Sequence, residues 1–171
     1  FRDYQSTLDP WLFLRNLLGG LVIAGVVVLF IARRFDRGPV ATIRSARDRV
    51  FVALLALALL TGFLVESAKI TSSRAFDRMA AEWAGDDPDE LLALRHFWAA
   101  EFGVVFDGLG PPPDPATLDV GRALHVDNCA VCHSPVRTSA FVSYPISRVF
   151  APLAVPLDAG HTDVWLYWIH V

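Results

Sequence analysis

The chain has 171 residues, of which 54% are hydrophobic and 19% charged, and its mean hydropathy is +0.42. That excess of apolar residues argues against a simple soluble globule. Fifteen Lys+Arg against 18 Asp+Glu give a formal net charge of -3, so no basic surface is offered to a nucleic-acid backbone and DNA or RNA binding is excluded. Two cysteines, three positions apart, exclude a multi-disulfide scaffold.

Taken in chain order, residues 1–10 form an N-terminal flank, and residues 11–32 are expected to cross a membrane as a helix. The uncharged run Leu17 to Ala32 lengthens through Trp11 to Leu14 toward the roughly 20 residues that a span needs. A second uncharged run, Val50 to Val65, belongs to a span over 50–70. Arg15, Glu66 and Lys69 then fall near the membrane surfaces, where Arg15 and Lys69 can snorkel. Between the spans, the 33–49 loop carries Arg33, Arg34, Arg37, Arg44, Arg47 and Arg49 against Asp36 and Asp48, whereas residues 71–164 hold six arginines and thirteen acids. Short basic loops stay in the cytoplasm, so the long acidic segment is expected outside.

That outer segment divides by composition. Residues 71–107 are expected to be helical, with one helix over Ser72 to Ala84 and another over Asp89 to Phe106. The stretch 108–118 is Pro-rich linker around Pro111-Pro112-Pro113. Residues 119–163 follow, with a helix from Asp119 to Asn128 leading into Cys129. The last residues, 164–171, read as the start of a further span, so both ends look like cuts within a longer membrane protein. The fold class expected is all-α: a membrane helical bundle with two complete spans and the beginning of a third, bearing a small helical extracytoplasmic haem domain.

Cys129-Ala130-Val131-Cys132-His133 has the pattern C-x-x-C-H. In it two thiols add to the vinyl groups of one haem and the adjacent histidine ligates the iron. One turn of chain sets both sulfurs along one porphyrin edge and brings the next residue beneath its face. Cysteine is rare here, and a chance match is expected on the order of once in a thousand such sequences. A redox dithiol would want a βαβ context, and a zinc site would want two more regularly spaced ligands. Cys129, Cys132 and His133 are therefore the expected ligands of a covalent haem c.

The run Gly121 to Ser134 resembles the N-terminal helix and haem site of class I cytochromes c. In that family a methionine far downstream supplies the sixth ligand, whereas the one methionine here is Met79, upstream of the linker. His161, after the motif on a Pro/Gly-bounded loop, is the first candidate for the distal position, followed by Met79 and His96. His125, four residues before Cys129, reads as a helix-surface or packing residue.

Arg33-Arg34, the basic loop, and Asp48-Arg49-Val50 leading to Leu59-Leu60-Thr61-Gly62-Phe63-Leu64-Val65-Glu66 resemble the respiratory nitrate reductase gamma subunit family, which includes the related membrane subunits of heterodisulfide-reductase-like complexes. The resemblance implies a cytochrome b bundle that exchanges electrons with membrane quinone, alongside other subunits of a redox complex and an extracytoplasmic redox partner. It implies a location in the bacterial cytoplasmic membrane. It also makes His170, in Tyr167-Trp168-Ile169-His170, a candidate ligand to a haem b whose second ligand comes from another span. Two other functions fit the sequence: a membrane-anchored monohaem cytochrome c acting only as carrier, and a haem-based sensor with an open iron site.

Overall fold

The computed structural model describes residues 10–35, 46–130 and 136–170. Among these the chain is all-helical, and its one extended contact is an isolated parallel bridge between Ser72 and Val105. Two helices are long and apolar enough to cross a membrane: α1, Pro10–Arg34, and α2, Ala46–Thr71. At 1.5 Å per residue each spans about 37–39 Å. Only 11% of the apolar window of α1 and 22% of that of α2 are buried by the rest of the chain, whereas a core helix of a soluble protein would be mostly covered. Leu21, Val28, Phe30, Phe51, Leu54 and Leu57 all point away from the protein.

α3, Ser73–Trp83, follows α2 after a one-residue break at Ser72, whose hydroxyl oxygen caps it by accepting from Ala75 N at 3.0 Å. α4, Pro88–Glu101, and α5, Pro115–Asn128, begin alike, with an Asp cap and a proline at the first helical position. Asp87 accepts from Asp89 N and Glu90 N, and Asp114 accepts from Thr117 N at 2.8 Å. α5 therefore starts four residues before the expected Asp119. α4 ends at Glu101, short of the expected Phe106, because Gly103 takes a left-handed φ of 81° and its N–H closes on Trp98 O at 3.0 Å.

α4 and α5 cross closely at Gly121, where a β-carbon would collide with the Ala93 carbonyl. With α3 they enclose the main apolar core of Phe76, Ala80, Leu94, Phe97, Trp98, Phe102, Val104 and Cys129. Its aromatic members interlock: Trp98 stacks on Phe102 at 4.2 Å, and Phe76 meets Trp98 edge-on at 5.4 Å.

The remaining elements are short: α6, Val136–Ser139; α7, Ser143–Phe150; a 3-10 turn, Ala151–Leu153; and α8, Ala154–Ala159. α9, Thr162–His170, follows. α7 and α9 both pack along α2. Ser143 and Ser147, one turn apart and fully buried, let α7 approach closely, and Ser67 Oγ donates to Ser143 O at 2.9 Å. The latter half of the 119–163 segment thus packs along the C-terminal part of α2 and against α1.

Asp158 on α8 joins this layer to the start of α3. Its carboxylate accepts from Ser72 Oγ at 2.6 Å, Ser73 Oγ at 3.0 Å and Arg74 N at 2.9 Å, with the Arg74 guanidinium 3.7 Å away. Burial alone would raise its pKa, but the hydrogen bonds from Ser72, Arg74 N and Ser73 and the Arg74 charge together hold it below the usual carboxylate range. A depressed folded-state pKa contributes stability that is present above the unfolded value of about 3.9 and is lost as pH falls through the folded value. Asp158→Asn is expected to cost about 1–2 kcal/mol at neutral pH. It should also flatten the loss of thermal stability below about pH 4, measured by unfolding in detergent across an acid series.

Candidate functional site

The N-terminal part of α1 and the C-terminal part of α2 meet in a polar knot inside apolar surroundings. Asn16, fully buried on α1, donates to Glu66 Oε1 at 3.1 Å and to Leu12 O at 3.1 Å, and its Oδ1 accepts from Val142 N at 3.1 Å and Ser143 N at 3.2 Å. Arg15 adds an ion pair to Glu66 at 3.1 Å. Arg15 and Glu66 are therefore partners rather than two separate surface charges. An amide among apolar residues is costly unless every group is matched, and Asn16 is matched on both ends. It orients the first turn of α7 through 126 residues of sequence separation.

A cleft of about 830 Å³ runs beside this knot. On α1 and α2 it is lined by Leu12, Gly19, Leu59, Gly62, Phe63 and Glu66, with Tyr167 and His170 from α9. Its opposite walls are Phe76, Met79, Trp98, Phe102, Val104, Val136 and Ala140, with Lys69 and Arg78 as cationic groups. These opposite walls are shared with the core that contains Cys129. This size and apolar lining suit a large flat organic cofactor.

Cys129 is the C-cap of α5 and 3% exposed, its N–H bonded to His125 O at 2.8 Å. Cys132 and His133 lie outside the described residues. Cys129 belongs to the aromatic core beside the cleft, and Val136 packs on it. Among the described residues no group of three or more His, Cys, Asp or Glu side chains gathers as a conventional metal site.

The other candidate histidines separate widely. His161 is exposed, takes a left-handed φ of 54°, and has Nδ1 3.0 Å from Ala159 O on its own loop. It does not line the cleft, and neither does His96, which is buried on α4. His125 is buried among Phe97, Trp98 and Phe102, with ring centroids 5.0–5.6 Å away, a packing position. Met79, which sequence position alone ranks behind His161, is in the cleft wall.

His170 does line the cleft. Its ring lies over Gly62, where a β-carbon would come within 3.1 Å of Cε1, and its Nδ1 is 3.1 Å from Thr61 Oγ1. The single hydroxyl proton of Thr61 is shared between Leu57 O at 2.9 Å and Ala58 O at 3.0 Å. The contact with His170 pairs its Nδ1 with Thr61 Oγ1, and the ring's tautomer sets which of the two donates. Gly62 is nine residues before the end of α2, about 13 Å down the helix. Sequence could have flagged this pair only as a polar-small step, Thr61-Gly62, within an apolar helix.

No family model, curated protein or solved structure matches the chain.

Proposed function

We propose that this chain is the electron-transfer part of a bacterial membrane cytochrome, carrying one covalent haem c on Cys129 and Cys132 with His133 as proximal ligand. The observation that carries the reading is the C-x-x-C-H run, whose first cysteine sits in the aromatic core bordering the 830 Å³ cleft. Phe76, Trp98, Phe102 and Val136 would cover the macrocycle's apolar faces, and Lys69 and Arg78 offer cations for its two carboxylates. The iron supplies one-electron chemistry when bound. The chain's contribution is to fix the haem covalently, exclude water with the aromatic core and set the potential through ligands and burial.

On this reading α1 and α2 cross the cytoplasmic membrane with the 33–49 loop inside, and residues 71–163 lie outside. His170 holds a haem b together with a histidine from a span beyond this segment, as the resemblance to nitrate reductase gamma subunits implies. The contact of His170 Nδ1 with Thr61 Oγ1 supports that assignment, because a ligating imidazole characteristically has its other nitrogen engaged. Membrane quinone, other subunits and an extracytoplasmic redox protein complete the electron path.

The test is haem staining after denaturing electrophoresis with pyridine haemochrome quantification. A covalent c-type signal that disappears in Cys129→Ser/Cys132→Ser is expected. Loss of all haem from the wild-type band on denaturation overturns the reading. A haem b signal alongside haem c supports the quinone-linked cytochrome; haem c alone favours the tethered carrier.

A further inference from the structure

Residues 149–157 read Val-Phe-Ala-Pro-Leu-Ala-Val-Pro-Leu, a run in which no side chain is charged or can hydrogen-bond. A helix needs about 20 such residues to cross a membrane, and a shorter run is either core or lies at the membrane interface. It is not core here. Ala154 alone of the run is buried, while Val149 is 75% exposed and Leu153 54%. The run passes from the end of α7 through the 3-10 turn into α8.

Packing against α2 sets the depth of this run. Phe150 and Leu157 line a small pocket together with Leu64, Ser67 and Ala68 of α2 and Leu166 of α9. Leu64 lies seven residues before the end of α2, so the run follows about the last 10 Å of a helix long and apolar enough to span. Interfacial segments sit about 5–10 Å deep in the boundary between headgroups and acyl chains. Arg148, the one cation of α7, donates to Gly103 O at 3.2 Å and so spends its charge on the loop after α4. α9 extends the same apolar surface: Trp165 and Trp168 are exposed, while His170 reaches Thr61 of α2 at 3.1 Å. Indole rings concentrate at this level of a bilayer. A protein partner would be met by hydrogen bonds about once per 100–200 Å², and the side chains of 149–157 offer none.

We propose that residues 149–157 form a membrane-interface segment whose partner is the phospholipid layer around α2; this rests on α1 and α2 crossing the membrane and not on the haem. The segment continues the lipid-facing surface of the spans, where Leu54, Leu57 and Leu60 are likewise uncovered by the chain. Through Ser143 and Ser147 on α2 and Arg148 on Gly103, it ties the aromatic core of α3, α4 and α5 to the membrane surface.

The full-length protein is reconstituted in vesicles of phosphatidylethanolamine and phosphatidylglycerol that contain a phosphatidylcholine with a diazirine near the ester end of one acyl chain. After illumination, the labelled residues are mapped by proteolysis and mass spectrometry. Label is expected on 149–157 at a level comparable to α1 and α2. Leu92 on α4 and Val120 on α5, exposed apolar residues away from the spans, should stay unlabelled. Labelled spans beside an unlabelled 149–157 put water or a protein partner on that face and overturn this inference alone. Equal labelling of Leu92 and Val120 overturns it too, since the probe would then report apolar exposure and not lipid contact. Absence of label from α1 and α2 as well would overturn the membrane reading on which it rests.

Discussion

Gly121→Ala is expected to destabilise the protein by about 3 kcal/mol and, on the proposed covalent-haem reading, to lower the amount of haem per chain. A β-carbon at Gly121 would press on the Ala93 carbonyl oxygen, lie 2.7 Å from Phe97 Cβ and 2.9 Å from the Ala93 carbonyl carbon. None of these atoms can rotate away, since two are backbone and the third is fixed by its own helix. The clash must be relieved by moving α5 off α4. α5 ends at Asn128 and delivers Cys129 into the core as its C-cap, so that shift carries the first thiol of the motif away from Trp98 and Phe102. Gly110→Ala is the control: a β-carbon there meets nothing within 4 Å, and its effect should stay within about 0.5 kcal/mol. Thermal unfolding in detergent and haem content per chain measure both. Equal behaviour of the two variants would mean that the α4–α5 crossing does not set the position of Cys129.

That crossing shows where sequence reading succeeds and where it stops. Local chemistry is visible in order along the chain: Asp-Pro pairs start α4 and α5, and long uncharged runs mark α1 and α2. Ser72 to Ala84 includes both caps of α3. The contacts that build the site join residues far apart, and no periodicity records them. Asn16 is an ordinary polar residue at a helix start until Val142 and Ser143 donate to it. Arg15 and Glu66 each look like an interfacial charge until they pair. Ser143 and Ser147 look like surface residues of an amphipathic turn, yet they are buried on α2 because only small side chains allow that approach. Met79 ranks behind His161 by sequence order, while the fold packs it against the core that contains Cys129. Cys132 and His133 rest on the motif's spacing alone, as they lie outside the described residues.

On the proposed quinone-linked reading, His170→Ala should abolish quinol-dependent reduction of the c-haem while leaving that haem covalently attached and reducible by dithionite. The physical case is the pairing of α9 with α2. Thr61 holds Nδ1, and Gly62 leaves room for the ring in the cleft wall. This contact sits about 12 Å along α9 from Thr162, on the same cleft as Met79. If Thr61 acts by orienting that ring, Thr61→Val should slow quinol-dependent reduction roughly 10-fold and shift the haem b potential, because loss of such a supporting hydrogen bond typically costs 10–100-fold. Thr61→Ser, which keeps the oxygen, should restore both. Should His170→Ala reduce the c-haem from quinol at the wild-type rate, α1, α2 and α9 would be anchors only, and the chain a tethered electron carrier.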